Sequence, residues 1–449
     1  MIEQDQSFFH RFVSNIDWYL VLTVAILIGI SFTAIYSAGS NYSMSFKYIS
    51  VQFLAAGIGF AGLLLLTSFN YQYYKHLGKL VYALSLALLV SVLLFGSVKR
   101  GTKGWFDFGF ISFQPVEIAK IMYILVLSSF LDAKAKESKG VSFLISTFAI
   151  FLGHLSLIMM QPDFSSTLSY FPVTLFLLYT TGVESFYLLC IILIGGLAVG
   201  IPLLETFFDM QLKIAQNETF LTNLALFLKS GNNVVYIISA VLVLIISGWW
   251  FLWKLKIRIP IIYPVVLCGA IVLGCVSSIF VEKSLKDYQR RRLVIFLDPQ
   301  VDPRGSGYNI MQSKIAIGSG KFTGKGLKKG TQTQLGFLPE QHTDFIFSVI
   351  GEECGWVIAQ LTLIFYFLFI WRVLVIAKES RDRYGSLVAI GIATMFAFYA
   401  VINIGMVMGI MPVTGMPLLL LSYGGSSIFS SLCAIGVLFS IHIRRHTFN

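Results

Sequence analysis

The densest chemical motif in this chain of 449 residues is Pro339-Glu340-Gln341-His342-Thr343-Asp344-Phe345, which runs straight into a long apolar stretch. It holds two carboxylates four residues apart, Glu340 and Asp344, with the imidazole of His342 between them. Two readings of Asp344 are open. In one, it or Thr343 caps the helix that the apolar stretch forms. In the other it is a general base at a water–lipid boundary, where low dielectric raises the basicity of a carboxylate and a sugar hydroxyl needs one. Glu340 then assists, or serves only as a cap.

Upstream lies a stretch rich in glycine and lysine. It includes Asp302-Pro303-Arg304-Gly305-Ser306-Gly307, then Gln312-Ser313-Lys314, then Gly318-Ser319-Gly320, Gly324-Lys325-Gly326 and Gly330-Thr331-Gln332. Glycines let backbone approach a ligand closely, and interleaved lysines such as Lys314 and Lys325 suit a diphosphate. The spacing is not that of a Walker A loop.

A second cluster reads Gly104-Trp105-Phe106-Asp107, then Gln114-Pro115-Val116-Glu117-Ile118-Ala119-Lys120. Pro115 suits the first turn of a helix. Glu117 and Lys120 then stand three apart on one face and can pair. Ionisable groups inside a membrane are expensive and point to function, although a plain packing pair is the alternative. Gln161-Pro162-Asp163 adds a carboxylate at the end of another apolar run, as a cap before Ser165 and Ser166 or as part of a site wall. Glu352 and Glu353, early in the span after the motif, pose the same question. The late segments Asn403-Ile404-Gly405-Met406, Met411-Pro412-Val413-Thr414-Gly415-Met416-Pro417 and Ser422-Tyr423-Gly424-Gly425-Ser426-Ser427 predict broken or closely packed helices that line a cavity.

The elements that must hold these residues are membrane helices. Hydrophobic residues make up 56% of the chain and charged ones only 12%, about half the charge of a soluble domain. Mean hydropathy is +0.79. A secreted domain, a cytosolic enzyme and a disordered scaffold are excluded. The net charge of +11 is interrupted by spans of lipid length, which argues against nucleic acid and for a role in topology or in meeting a membrane anion. The five cysteines sit in or beside apolar runs without metal-type spacing and read as packing residues. No cleavable signal is expected, since the first apolar run is long enough to span.

The sequence predicts an all-α polytopic protein with about 12 transmembrane helices, near 18–37, 48–67, 77–97, 117–132, 142–160, 166–182, 185–207, 234–254, 260–281, 346–371, 385–409 and 418–442. Lys and Arg in the short loops place both termini in the cytoplasm. The long segment near 283–345 then faces outward although it carries eleven Lys and Arg against five acids. Long loops are exempt from the positive-inside rule. A solvated basic face would account for the excess, but an anionic lipid headgroup accounts for it better, because clustered cations match phosphate oxygens. Residues 221–228 are read as an interfacial helix. There is no obvious internal repeat, which weighs against an inverted-repeat transporter.

Taken in order, Gly104-Trp105, Gln114-Pro115-x-Glu117-Ile-Ala-Lys120, Gln161-Pro162-Asp163, the glycine loop, Pro339-Glu340-x-His342-Thr343-Asp344-Phe345 and Ser422-Tyr423-Gly424-Gly425-Ser426 resemble the SEDS family of bacterial cell-wall polymerases across roughly 17–445. Within the family, Gln312 to Gly320 and Gly330-Thr331-Gln332 are more similar to the elongation branch than to the division branch. The resemblance implies a family core of ten spans, to which this chain adds an inserted segment at 208–258 that supplies two more. The whole chain, 1–449, would be one transmembrane domain, with 283–345 as the large extracytoplasmic catalytic loop.

The activity implied is a peptidoglycan glycosyltransferase of the bacterial inner membrane. It would polymerise lipid II into glycan strands on the outer face, with release of undecaprenyl diphosphate. The implied cofactor is a divalent cation, Mg²⁺ or Mn²⁺. The implied partners are a class B penicillin-binding protein, which crosslinks the product, and other elongation-complex membrane proteins. Carried over residue by residue, Asp344 is the catalytic position, as base or metal ligand. Trp105, Glu117, Lys120 and Asp163 are sensitive or cavity positions. Lys314, Lys325, Glu340 and His342 complete the expected substrate-binding set. A lipid II flippase, with Glu117, Lys120 and Asp163 along a transit path, is the alternative from another class. A structural scaffold for the transpeptidase would make the intramembrane acids needlessly costly.

Overall fold

The computed structural model describes residues 16–39, 42–99, 101–107, 109, 112–134, 140–214, 231–257, 259–284, 295 and 305–445. The chain divides into two units, Met1–Gly182 with Tyr308–Asn449, and Val183–Gly307.

The first unit begins with α1 (Trp18–Ala38), α2 (Tyr42–Ser68), the short α3 (Gln72–His76) and α4 (Gly78–Phe95). Three short strands follow, β1 (Ser97–Lys99), β2 (Thr102–Asp107) and β3 (Ser112–Phe113), antiparallel in the order β1-β2-β3. Next come α5 (Pro115–Ala133), α6 (Val141–Met160) and α7 (Phe164–Thr180). The second unit holds α8 (Ser185–Ile214), α9 (Gly231–Lys254) and α10 (Ile262–Ser284), with α8 packed along α10. The chain continues through α11 (Ser306–Ser319), α12 (Thr331–Gln334), α13 (Ile346–Glu379), α14 (Arg383–Val407) and α15 (Gly425–Ile443).

A helix occupies each of the twelve predicted spans. Among the described residues nine are long and apolar enough to cross a membrane, with a shorter apolar helix at Ser239–Lys254. The helices at the two shortest predicted spans fall outside that group: α5 carries Glu117, Lys120 and Asp132, and α7 has 17 residues. The predicted interfacial helix at 221–228 lies outside the described residues, as do Lys286, Arg290, Arg291, Arg292 and Arg304 of the basic loop.

Two local features depart from the sequence reading. The strands at 97–113 add a small sheet to an all-α expectation. The stretch read as a loop also contains a helix, α11, whose Ile310, Ser313 and Ala316 are buried.

The core of the first unit centres on α15, buried along nearly its whole length, and α14. Small residues let α15 approach α2 closely. Thr67 Oγ1 donates to the Gly436 carbonyl at 3.2 Å, and a Cβ at Gly436 would stand 2.7 Å from the Leu63 carbonyl oxygen. Such contacts replace the hydrophobic effect, which does not drive helix association in lipid. At one end of the same unit, Asp17 caps α1 through Leu20 N and pairs with Arg372 at 2.5 Å.

α13 is broken at Gly355, whose φ of 78° lies in the left-handed region. The main-chain groups freed by the break are taken up by residues 321–326. The Glu352 and Glu353 carbonyls accept from Lys325 N and Gly326 N at 3.0 and 2.9 Å, and Trp356 N donates to the Lys321 carbonyl at 2.8 Å. This is how irregular backbone survives among helices, with its freed polar groups paired inside the protein. A Cβ at Gly320, Gly324 or Gly355 would collide with this junction. Glycines 320 and 324 therefore serve close packing against a broken helix rather than a ligand.

Candidate active site

Local sequence sets the first part of the site. Pro115 opens α5 in its first turn, as expected. One turn on, Glu117 and Lys120 pair at 2.7 Å, 6% and 4% exposed. Two further groups complete their coordination. Ser430 of α15 reaches Glu117 Oε2 at 3.5 Å, and Lys120 donates to the hydroxyl of Tyr399 on α14, lying 4.6 Å from its ring centre. Neither charge is left unpartnered, which burial requires.

Asp163 combines both roles considered for it. Its Oδ1 accepts from Ser166 N at 3.0 Å as the cap of α7, and its Oδ2 accepts from Gln114 Nε2 at 2.9 Å. Gln114 N in turn donates to Ser426 Oγ at 2.8 Å. Trp105 lies half-buried on β2, opposite Ser97. Its neighbour Gly104 packs against the Gln161 and Gln114 side chains. Beside this hairpin Lys99 grips Asp107 at 2.7 Å, and that hydrogen bond holds the Asp107 carboxyl below the ordinary carboxylate range.

Asp344 does not cap a helix. The cap position of α13 is Phe345, with no side-chain bond, and Asp344 sits in the preceding turn with its N–H on the Glu340 carbonyl at 3.1 Å. Its own carbonyl accepts from Asn403 Nδ2 at 2.8 Å. A Cβ added at Gly415 would stand 3.4 Å from Asp344 Oδ2, so that glycine leaves the carboxylate room. His342 stacks on Tyr48 of α2, ring centres 4.5 Å apart, and lies 5.4 Å from Tyr423; the His342 carbonyl accepts from Tyr423 N at 2.9 Å. Glu340 is exposed, has φ 54°, and accepts from the Thr343 hydroxyl at 3.3 Å.

Two elements join these clusters. On α14, Tyr399 meets Lys120 and Asn403 meets the Asp344 carbonyl. Four residues of helix separate them, about 6 Å of rise on one face. On the segment entering α15, Tyr423 binds the His342 carbonyl while Ser426 binds Gln114. The arrangement sets the buried Glu117–Lys120 pair and the main chain of the turn bearing Asp344 against one face of α14, one helical turn apart. Tyr423 belongs to the Ser422–Ser427 segment singled out from sequence, whereas Tyr399 and Tyr48 were not selected. No local pattern marks Tyr399, which stands in the apolar run Phe396-Ala397-Phe398-Tyr399-Ala400.

The two loop lysines separate. Lys314 is exposed on α11 and lies against Gly409, where φ is 70°. Lys325 instead pairs at 2.8 Å with the fully buried Glu352, whose oxygens also accept from Gln332 N and Thr333 N at 2.9 and 3.0 Å. Glu353 is clasped by Ser37, Thr333 Oγ1 and Gln334 Nε2. The twin carboxylates thus bind the glycine-rich segment to α13. Lys325→Gln is expected to lower the melting temperature measurably while KM for the substrate stays within about twofold, because it strips a buried carboxylate of its cation. A lysine that touches substrate would do the reverse, and scanning fluorimetry with steady-state kinetics separates the two.

The whole chain can be set beside known proteins. A protein-family model described as a cell cycle protein, FtsW/RodA/SpoVE, matches residues 16–223 and 219–447. The chain is 36% identical over 445 residues to the peptidoglycan glycosyltransferase RodA of Treponema pallidum, covering 97% of this chain and 99% of that one. It is 32% identical over 432 residues to the peptidoglycan glycosyltransferase MrdB of Escherichia coli, with 96% and 94% covered. Among solved structures it is similar to one described as the structural coordination of polymerization and crosslinking by a peptidoglycan synthase complex, with TM-score 0.66, 25% identity and 96% and 99% of the two chains covered. The rod shape determining protein RodA of Thermus thermophilus shares the fold at TM-score 0.58 and 22% identity, over 96% and 98% of the chains. With both halves of its length matched and its motifs gathered around Asp344 and the Glu117–Lys120 pair, this chain belongs to the SEDS (FtsW/RodA/SpoVE) family of multi-pass membrane proteins.

Proposed function

We propose that this protein is a peptidoglycan glycosyltransferase that polymerises lipid II into glycan strands during cell elongation. The observation that carries the reading is the link through α14. The buried Glu117–Lys120 pair and the turn bearing Asp344 are held on one helical face, through Tyr399 and Asn403.

In the reaction, the acceptor sugar's 4-hydroxyl attacks the anomeric carbon of the growing chain. A new carbon–oxygen bond forms there as the bond to diphosphate breaks, so an α-linked donor becomes a β-linked strand. The hydroxyl proton passes to the Asp344 carboxylate. General-base help of this kind is worth about 10²–10⁴-fold. The departing diphosphate takes the bonding electrons and needs fixed positive charge. Lys314 and Lys120 supply it, with Gln114, Asp163, Trp105, Glu340 and His342 shaping the binding wall. The activated donor drives the step without a nucleotide.

A divalent cation, Mg²⁺ or Mn²⁺, fits this donor set in a limited way. Among the described residues no three His, Cys, Asp or Glu side chains group to hold a metal. Mg²⁺, however, is commonly held by one or two carboxylates together with substrate phosphates. Asp344 is the carboxylate that would hold it, as an alternative to acting as base. When bound, the ion would neutralise diphosphate charge.

The excess of Lys and Arg in the short loops on one side supports cytoplasmic termini and an outward-facing Asp344. A class B penicillin-binding protein is the proposed partner, together with other membrane proteins of an elongation complex. The test is polymerisation of lipid II by the purified protein with that partner and Mn²⁺. Glycan strands on a gel support the reading. Absence of strands together with lipid II scrambling in proteoliposomes would transfer it to a flippase.

A further inference from the structure

The C-terminal half of α14, from Met395 on, carries two polar side chains one turn apart on an apolar background, Tyr399 and Asn403. Tyr399 belongs to the buried ion pair. Asn403 has no part in it, yet its side chain is fully buried. Its Nδ2 donates to the Asp344 carbonyl at 2.8 Å and to the Met416 carbonyl at 2.7 Å. A carboxamide nitrogen has two hydrogens, so both are in use. The two acceptors also fix the amide's orientation, because the flipped form would aim Oδ1 at two carbonyl oxygens.

Those carbonyls belong to the two segments that meet at the carboxylate. One is the turn bearing Asp344. The other is the irregular connection between α14 and α15, which has left-handed backbone at Gly409, Gly415 and Leu420. Met416 directly follows Gly415, the residue facing Asp344 Oδ2. One side chain on a rigid helix therefore ties the main chain of Asp344 to the wall its carboxylate faces. Asn403 Oδ1 has no partner, so nothing besides these two bonds accounts for an amide in that place. A leucine of similar size would avoid the buried acceptor but take away the donor that the two carbonyls share.

We infer that Asn403 is a positioning residue for polymerisation, whose amide sets the place of the Asp344 carboxylate through the Asp344 and Met416 carbonyls. It touches no reacting atom. The inference rests on Asp344 being the reacting carboxylate. Displacement of such a group by about 1 Å costs about 10²-fold in rate, while lipid II binding by other residues is left in place.

The experiment compares Asn403→Asp, Asn403→Leu, Asn403→Gln and Asp344→Asn with wild type, each purified with the partner transpeptidase. It measures lipid II bound per protein, KM, and kcat per mole of lipid II bound. Asp keeps the shape and turns the donor into an acceptor; Leu removes it. Gln keeps the amide but shifts it by one methylene, and is read if the other two do not elute as single species. The expected result is wild-type binding stoichiometry, KM within about twofold, and kcat per bound lipid II lower by about 30- to 100-fold. Counting bound substrate removes the effect of a partly unfolded sample, so a merely structural role would leave that last number unchanged. Wild-type kcat in Asn403 variants beside an inactive Asp344→Asn overturns the positioning role alone. An active Asp344→Asn overturns both it and the assignment of Asp344.

Discussion

Asp344→Asn is expected to abolish strand formation, by at least about 10²–10⁴-fold, in a protein that elutes and melts like wild type. The fold should tolerate it. The side chain is half-buried beside Gly415, where an asparagine fits the same space, and the main chain of the turn is held by bonds to Glu340 and Asn403. Asparagine keeps the shape and removes both the charge and the ability to take a proton. Asp344→Glu restores the charge one methylene out of place and is expected to recover only part of the rate. A Mn²⁺ titration of the Glu variant separates the two roles. A shifted half-saturating concentration marks a ligand, and an unshifted one with low kcat marks a base. Strands made by Asp344→Asn at the wild-type rate would refute the assignment.

The second large effect is expected from Lys120→Met. The pair it breaks is 2.7 Å long and almost wholly buried, with Tyr399 and Ser430 as its other partners. Removing one member leaves Glu117 as an uncompensated buried charge, which in comparable pairs costs about 3–5 kcal/mol. The variant should melt well below wild type and make no strands. The double change Glu117→Gln with Lys120→Met removes both charges together. Stability should largely return, because well-packed neutral groups often replace a buried pair at little cost. Activity should not return, because fixed positive charge near the diphosphate is worth about 10²–10³-fold. A double variant that regained activity would reduce the pair to a packing device.

The motif residues divide by the range of the interaction that places them. Pro115, Glu117 and Lys120 could be assigned from sequence because helix periodicity alone brings i and i+3 together. Asp163 could be read as a cap for the same reason, since its partner Ser166 is three residues away. Among the described residues the apolar runs marked the nine helices long and apolar enough to cross a membrane, because lipid admits backbone only when its polar groups are paired within the segment. Mean hydropathy could not reveal the hairpin at 97–113 or the helix α11, whose residues are too polar to stand out.

The glycine-rich stretch shows where such reading stops. Glycine permits close approach to any group, ligand or backbone, and the sequence does not say which. The break of α13 at Gly355 decides it, by setting Gly320 and Gly324 against the main-chain carbonyls of residues 351–353. Lys325 follows, drawn to Glu352 rather than left open for a phosphate.

By itself, then, the sequence determined a polytopic helical membrane protein and its family, and it supplied the candidate residues for the chemistry. Only the tertiary structure decided how they meet. Lys120 and Tyr399 are 279 residues apart in the chain, Asp344 and Asn403 are 59 apart, and His342 and Tyr48 are 294 apart. Contacts at such separations carry no periodic signature, since they depend on which faces of α2, α14 and α15 turn toward one another when the helices pack.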